Sequence, residues 1–328
     1  MINRRIGLVS LILSCFFATA GLLQAATKIG VILPETGAHA GIAILERFAF
    51  ETALDVSAPE DGSQLELVFA DNYNNPDSAR VAAERLAESP DVIALAGGYP
   101  SACCDAITRV AELHRIPYLI ISASADTLTR RAGRYVFRLA PPTSDYNDGL
   151  IGWAVTVAGV HSNIVVLYDD RPQWMDAVND IKRDLAGKWS GKVDYLSFVA
   201  GENDFSRQLT EIRHLKSGIV WLFGNTGDIA RFMRRCRDAG FAPAAFVVGT
   251  VKQVNRKIIS AAQGAADYSY GPAVWWFTHP YAGVEQFVRM YQERTTEPPD
   301  YHAAEAFAAM QVIQDALNRV EKESREDL

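Results

Sequence analysis

Three serines stand directly after two apolar runs in the first half of the chain. Ser101 follows the run at residues 92–96, and Ser122 and Ser124 follow the run at residues 117–121. A stretch with helical spacing begins after each group. Hydroxyl groups beside the free N–H groups and partial positive charge of a helix N-terminus can bind a carboxylate. Ordinary N-capping by Ser101 and Ser124 is the alternative, and the sequence leaves both interpretations open.

Short apolar runs alternate with amphipathic stretches along nearly the whole chain. The predicted strands are residues 28–33, 65–71, 92–96, 117–121 and 135–139, followed by 163–168, 193–199, 218–223 and 245–249. The predicted helices include residues 77–88, 105–114, 175–185, 205–215, 228–239, 281–294 and 301–323. Strands rich in Val, Ile and Leu that alternate with helices are typical of parallel sheets covered on both faces. Right-handed crossovers wind each series into one three-layer unit, so the sequence predicts an α/β fold with two Rossmann-like lobes.

Two breaks divide the predicted elements into lobes joined by a hinge. Pro141 and Pro142 favour extended backbone at the first break, and the second break is rich in glycine, proline and aromatic residues. The helices after the second break need an apolar sheet face to cover, and the first lobe offers one. We predict a first lobe of residues 26–140 plus 278–323 and a second lobe of residues 141–270. The hinge crossovers are expected near residues 138–146 and 267–277.

The first 25 residues are predicted to be a signal peptide. Arg4 and Arg5 precede an apolar run that ends in small residues, and cleavage is expected near Ala25. A retained membrane anchor is the alternative. This segment holds two arginines and no acidic residue, so its removal leaves 30 basic and 39 acidic residues and changes the formal net charge from −7 to −9. A chain this acidic, without a basic stripe, is not expected to bind nucleic acid.

The sequence lacks the motifs of the common enzyme classes. The turn after the first strand does not have the G-x-G-x-x-G spacing, and there is no Walker loop, G-x-S-x-G elbow or H-E-x-x-H motif. The six histidines are scattered. Cys103, Cys104 and Cys236 remain after cleavage, and an odd number excludes a full disulfide framework. A bridge between Cys103 and Cys104 is the alternative to two buried thiols. We predict no enzymatic activity, no cofactor and no metal.

Several segments resemble the periplasmic leucine/isoleucine/valine-binding protein family, which contains type I solute-binding proteins of ABC transporters. In unbroken order they are KIGVILPETGAHAG, ADNYNNPDSARVAAERL, IPYLIISASADTLT, YVFRLAPPTSD, VVLYDD and NDFSRQLTEIRHLKSGIVWLFGNTGDIARFMRRCRDAGF. The resemblance covers nearly the whole chain after the leader and implies two lobes that close over a small solute. The family's final crossover after the last helix is not seen, so a hinge of two strands is expected.

The resemblance also implies which residues bind the solute. Three serines would bind its carboxylate, and the loop at residues 34–41 would line the first-lobe wall. From the second lobe the family places an aromatic residue shortly after the sequence YDD, and a further contact after WLFG. The predicted ligand-binding residues are Tyr99, Ser101, Ser122, Ala123, Ser124, Trp174, Asn225 and Thr250.

One departure from the family concerns an ammonium group on the solute. Members that bind amino acids carry an acid after the strand equivalent to residues 245–249, whereas this chain continues with Thr250, Val251 and Lys252. A buried ammonium without a carboxylate partner is costly. Asp170 or Asp228 could substitute, although capping or exposure to solvent explains both residues better. The solute class therefore stays open between an amino acid and another organic or aromatic acid.

Together these observations predict an extracytoplasmic solute-binding protein of an ABC importer. It would be a periplasmic monomer that binds a small carboxylate-bearing solute by hinge closure and docks on membrane permease subunits. A sensor protein that signals to a membrane receptor is one alternative, and an exported enzyme is the other.

Overall fold

A computed structural model describes residues 26–56, 65–130, 133–159, 162–249, 256–320 and 325. The predicted signal peptide, residues 1–25, and the predicted ligand-binding residue Thr250 lie outside the described residues. In the part of the chain that is described, no helix has the length and apolar character needed to cross a membrane.

Two parallel sheets of five strands each form the framework. The first contains β1 (Thr27–Leu33), β2 (Leu65–Asp71), β3 (Val92–Gly97), β4 (Tyr118–Ile120) and β5 (Val136–Arg138) in the order β2-β1-β3-β4-β5. The second contains β6 (Ile164–Asp169), β7 (Val193–Phe198), β8 (Ile219–Phe223), β9 (Ala245–Val248) and β10 (Ser269–Tyr270) in the order β10-β9-β8-β6-β7. Every pairing is parallel. The predicted α/β fold with two lobes is confirmed.

Helices cover both faces of each sheet. On the first sheet they are α1 (Ala40–Val56), α2 (Pro76–Glu88), α3 (Ser101–His114), α4 (Thr127–Arg130), α10 (Val284–Thr295) and α11 (Tyr301–Arg319). On the second they are α5 (Thr143–Ala158), α6 (Pro172–Leu185), α7 (Ser206–His214), α8 (Thr226–Asp238) and α9 (Arg256–Ala262). Local chemistry sets several of their starts. At α2, for example, the Asn75 side chain accepts hydrogen bonds from the backbone of Asp77 and Ser78, and Pro76 occupies the first helical position.

Each lobe has an apolar core on both faces of its sheet. In the first lobe, Phe50 of α1 and Phe307 of α11 pack on one face, and Ile107 of α3 packs on the other. In the second lobe, Phe232 of α8 packs on one face and Trp221 contributes to the other. Such burial removes apolar surface from water and contributes about 1.5–3 kcal/mol for each large side chain.

Within the described residues, the chain passes between the lobes twice. After β5 it enters α5, whose Ile151 and Ala154 belong to the second-lobe core. After β10 it returns to the first lobe, where α10 and α11 pack against α1. The Tyr291 hydroxyl donates to the Leu45 carbonyl at 3.3 Å, and Arg294 forms an ion pair with Asp55.

The cysteines of the described residues are buried thiols without a disulfide. Cys103 and Cys104 lie at the start of α3, and Cys236 lies in α8. Burial raises the pKa of Cys103 to about 11 and the pKa values of Cys104 and Cys236 to about 12. At neutral pH all three are therefore uncharged apolar groups, and the alternative of a bridge between neighbours is not realised.

Candidate functional site

A cleft of about 600 Å³ lies between the two lobes, where the carboxyl ends of strands from both sheets meet. Open parallel sheets bind ligands at these strand ends, and the volume suits a small molecule. The first lobe contributes residues that follow β3 and β4. The second lobe contributes the first turns of α5, one side of α6, and Gly249 after β9. The predicted residues that line this cleft are Ser101, Ser122, Ser124 and Trp174.

The Ser101 hydroxyl is not used to cap its helix. α3 begins at Ser101 itself, Pro100 is the N-cap residue, and no side-chain cap hydrogen bond is made there. Capping therefore does not explain Ser101. The hydroxyl stands at the lining of the cleft beside the free N–H groups of a helix of 14 residues.

The structure corrects the prediction of a second helix N-terminus at the cleft. The helix after Ser124, α4, has only four residues, so few peptide dipoles align and no helix N-terminus of useful strength forms there. Ser124 is held differently. The Thr143 hydroxyl donates to the Ser124 carbonyl at 3.0 Å and lies 3.4 Å from the Ser124 hydroxyl oxygen. This contact joins the wall of the first lobe to the first residue of α5.

Ser122 belongs to a buried hydrogen-bonded group that was not predicted. Its hydroxyl donates to Oε1 of Glu46 at 2.6 Å, and the same oxygen lies 3.2 Å from Nδ1 of His302. Glu46 lies on α1 and His302 on α11, and both are buried. The Ser122–Glu46 bond joins residues 76 positions apart in the chain, which is why no local pattern revealed it.

Tyr99 and Ala123 lie behind the wall of the cleft and are not among its lining residues. The Tyr99 ring packs edge-on against His39 at 4.9 Å and against His302 at 5.5 Å between ring centroids. Ala123 belongs to the first-lobe core. His39 comes from the loop that was expected to form part of the wall, and it supports Tyr99. Direct contact of Tyr99 and Ala123 with a solute stays a prediction.

Trp174 is the aromatic residue that the second lobe presents to the cleft. Pro172 occupies the first turn of α6 directly after β6, so Trp174 lies close to the strand end. Its indole N–H donates to Oδ2 of Asp169 at 3.1 Å. Burial alone would raise the pKa of Asp169, but hydrogen bonds from Arg171 and Trp174 lower it. The ionised carboxylate therefore fixes the orientation of the Trp174 ring at neutral pH.

Asn225 has a structural role at the start of α8. Its Oδ1 accepts from the Asp228 backbone at 3.0 Å, and its Nδ2 donates to the Asp228 carboxylate at 2.6 Å. Asp228 is buried and also pairs with Arg231 at 2.6 Å. The expectation that Asp228 caps a helix or faces solvent is therefore wrong, because Asn225 is the N-cap residue and the buried Asp228 carboxylate accepts from Gly201, Asn225 and Arg231. Asp228 is not among the residues that line the cleft. Asn225 is not among the residues that line the cleft, and its contact with a solute stays a prediction.

Charged residues of the cleft come from both lobes and were not predicted. In the first lobe Asp126 pairs with Arg130 at 2.9 Å, and in the second Asp180 pairs with Arg183 at 2.9 Å. Burial raises the pKa of Asp180. Positions 176, 179, 180 and 183 of α6 line the cleft and lie on one face of the helix. The polar stripe that they form, opposite the apolar face, was the sequence signal that could have identified them. Asp126 and Asp180 thus both form ion pairs with arginines of the cleft lining.

Tyr146 of α5 and Tyr301 of α11 complete the lining with two further aromatic rings. Burial raises the pKa of Tyr146, so its hydroxyl is protonated at neutral pH and can donate a hydrogen bond. Among the residues that the structure describes, no group of three or more His, Cys, Asp or Glu side chains could hold a metal ion. The arrangement combines hydroxyl donors, aromatic surface and paired charges. It suits binding of a small polar molecule.

Comparison with known proteins agrees with this architecture. Among curated relatives, Leu/Ile/Val-binding protein homolog 7 from Brucella suis is 24% identical over 95% of this chain and 82% of its own length. The isoleucine complex of the branched-chain amino acid transporter substrate binding protein LivJ from Streptococcus pneumoniae has a TM-score of 0.73 at 20% identity, covering 92% of this chain and 86% of that one. An ABC transporter solute binding protein from Rhodopseudomonas palustris, in complex with 3,4-dihydroxybenzoic acid, has a TM-score of 0.70 at 18% identity, covering 92% and 83%.

These structural likenesses show the shared fold. The family model described as periplasmic binding protein matches residues 26–328, which is nearly the whole chain. The resemblance seen in the sequence motifs is thus confirmed. The chain belongs to the periplasmic binding protein family.

Proposed function

We propose that this protein is the solute-binding component of an ABC importer and that it binds a small carboxylate-bearing solute between its lobes. The observation that carries the proposal is the cleft itself. Ser101 and Ser124 of the first lobe face Trp174 of the second across about 600 Å³ at the strand ends. Similar proteins of the same fold were solved with isoleucine, 3,4-dihydroxybenzoic acid and 4-hydroxybenzoate, all of which carry a carboxylate.

Hinge closure is the proposed mechanism. A solute held by the first lobe gains the contacts of α5 and α6 only when the second lobe approaches, so it shifts the population toward the closed form. The two crossovers between the lobes are the segments that would bend. The closed form would then dock on permease subunits at the membrane, and the protein would act in the periplasm after removal of its leader.

The residues of the cleft support both solute classes that the sequence leaves open. Asp176 and Asp180 of α6 could pair with an ammonium group, which would replace the acid that is missing after β9. Trp174, Tyr146 and Tyr301 offer surface for an aromatic acid. We therefore propose an amino acid or an aromatic acid as the solute.

A calorimetric and thermal-shift panel of amino acids and aromatic acids tests the proposal. A solute present at 100 times its Kd is expected to stabilise the protein by about 2.7 kcal/mol. Failure of every carboxylate in the panel to bind would contradict the proposed class. Copurification from membranes with permease subunits would support the importer role, whereas copurification with a receptor kinase would favour the sensor.

Removal of the two hydroxyls that face the cleft is expected to weaken binding without unfolding the protein. Ser101→Ala and Ser124→Ala should each raise the Kd by about tenfold, because each removes one hydrogen bond to a charged group. Isothermal titration with the best panel solute measures this. Ser260→Ala, on the exposed face of α9, is the matched control and should leave the Kd unchanged. Unchanged affinity in both cleft variants would argue against the carboxylate site.

Truncation of the second-lobe aromatic residue gives a separate test. Trp174→Ala is expected to raise the Kd by about tenfold, because it removes a large apolar contact on one side of the solute. Trp174→Phe keeps an aromatic ring and loses only the bond to Asp169, so its loss of affinity should be smaller. Equal losses in the two variants, measured by the same titration, would show that the indole N–H and not the ring surface matters.

A further inference from the structure

The direction of one hydrogen bond decides what Ser122 can offer to a solute. A serine hydroxyl has one proton and two lone pairs. In Ser122 that proton is directed at Oε1 of Glu46, with 2.6 Å between the oxygens. Ser122 lines the cleft, and only the lone pairs of its oxygen remain for a solute. Ser124 differs, because its hydroxyl is not bonded to an acidic side chain: it lies 3.4 Å from the Thr143 hydroxyl, whose proton is donated to the Ser124 carbonyl.

Glu46 is placed so that it holds this direction. Its side chain is fully buried on α1, and its Oε1 lies between the Ser122 hydroxyl and Nδ1 of His302. With the carboxylate as acceptor, both neighbours donate to it. Oε2 makes no hydrogen bond to any described residue, so Ser122 and His302 are the contacts that satisfy this buried group. Turning the Ser122 proton toward the cleft would remove one of them, and an underbonded buried carboxylate is costly.

We propose that Glu46 is a positioning residue that fixes Ser122 as a hydrogen-bond acceptor, so that this point of the cleft recognises an N–H or O–H donor of the solute rather than its carboxylate. The inference rests on the proposed function, because it takes the cleft as the solute site. It changes the assignment of the three serines. Ser101 and Ser124 remain the carboxylate donors, and Ser122 reads a second group, such as an ammonium or a phenolic hydroxyl.

The charge of Glu46 favours a hydrogen-bond donor at Ser122, as the hydrogen bond does. A carboxylate oxygen of the solute beside Ser122 would meet lone pairs instead of a proton and would stand near the buried Glu46 carboxylate. Both contacts are repulsive. A donor at that point meets an acceptor whose electron density is increased by its own hydrogen bond to a carboxylate. The buried group therefore contributes to specificity without touching the solute.

Matched solute pairs test the role of Ser122. L-Leucine and 4-methylpentanoate differ by an ammonium group, and 3,4-dihydroxybenzoate and benzoate differ by two hydroxyls. In whichever pair binds, Ser122→Ala is expected to raise the Kd of the solute with the extra donor group by roughly tenfold. The Kd of the solute without that group should change by less than about twofold. Equal weakening of both members would show that Ser122 donates to the carboxylate and would overturn the proposal.

Two substitutions of Glu46 separate charge from hydrogen-bond direction. Glu46→Gln removes the charge but keeps an oxygen that accepts from Ser122, so it should retain the preference for the donor-bearing member. Glu46→Met removes the acceptor as well and frees the Ser122 proton. The Glu46→Met variant should bind the solute without the donor group roughly tenfold more tightly than the Glu46→Gln variant does. This gain in affinity should vanish when Ser122→Ala is added. A gain that survives in the Ser122→Ala background would exclude action through Ser122.

Neutron diffraction of deuterium-exchanged crystals without solute decides the geometry independently. The expected map places a deuteron on the Ser122 oxygen, directed at Glu46. A deuteron on Glu46 directed at Ser122, or a Ser122 deuteron directed into the cleft, would overturn the inference. If the expected map is found and no carboxylate binds, the proposed solute class fails while the positioning role of Glu46 stands.

Discussion

Gly97→Ala is expected to lower the free energy of unfolding by about 3 kcal/mol or more. Gly97 ends β3 with φ near +100°, and a Cβ atom there would lie 2.6 Å from the backbone oxygen of Ile32 in β1. That oxygen accepts a hydrogen bond from the Gly98 N–H at 2.7 Å and belongs to β1, an interior strand that pairs with β2 and β3, so it cannot move aside. The substitution combines a strained backbone with a clash that no side-chain rotation relieves.

Urea denaturation measures the effect, and Gly152→Ala is the matched control. Gly152 lies inside α5, where a Cβ would meet no atom within 4 Å. Alanine there should stabilise the protein by up to about 1 kcal/mol because of its higher helix propensity. If Gly97→Ala is as stable as the unmodified protein, then β3 and β1 do not approach each other as described. The loss matters for function, because Gly97 and Gly98 lead the chain from β3 to Ser101.

Glu305→Met is expected to stabilise the protein by about 1–3 kcal/mol at pH 8 and by less at pH 4. Glu305 lies on α11 and is 6% exposed, and neither carboxyl oxygen has a hydrogen-bond partner among the described residues. Burial, with smaller contributions from Glu46 and Asp300, raises the pKa of this carboxyl well above its usual value. Methionine has a similar length and fills the space without an unpaired polar group.

The dependence on pH follows from where the proton is bound. The folded protein holds the Glu305 proton to a higher pH than the unfolded chain, which releases it above a pH of about 4.3. The folded state therefore binds more protons, and the contribution of Glu305 to stability falls as pH rises through the unfolded value toward the raised folded value. Glu305→Met removes this loss, so the stability difference between variant and unmodified protein should grow with pH.

Urea denaturation at pH 4, 6 and 8 measures that difference. Glu285→Met, at an exposed position of α10, controls for the general effect of replacing a glutamate with methionine. The pH dependence that Glu305→Met shows beyond this control reports the burial of the Glu305 carboxyl. If Glu305→Met varies no more with pH than the control, a partner stabilises the charge of Glu305 in the folded protein and the prediction is wrong.

The sheets were predictable because their strands are buried on both faces. A strand such as β8 is apolar at every position, so it stands out between two amphipathic helices. The predicted residues 218–223 differ from the observed Ile219–Phe223 by one position. Short elements carry no such pattern. The two residues of β10 were missed, and the four residues of α4 were mistaken for the start of a full helix.

The site was predictable where chain position alone determines it. Ser101 and Ser124 come shortly after β3 and β4, so topology brings them to the cleft, whereas Trp174 was predicted from the family resemblance. The partner of Ser122 was not predictable, because Glu46 and His302 reach it from two helices far apart in the sequence. A buried acid inside an apolar helix pattern was the visible signal, yet the sequence does not say which residues it faces.

During synthesis from the N-terminus, the chain can complete the second lobe before it can complete the first. All elements of the second lobe, from α5 to β10, follow one another, whereas the first lobe also needs α10 and α11. Tyr291 and Leu45, which join these helices to α1, are 246 residues apart. Ordering so long a loop is entropically costly and slows folding. During synthesis the second lobe can therefore become compact early, while the wall that carries Ser122 is completed only when the last helix is present.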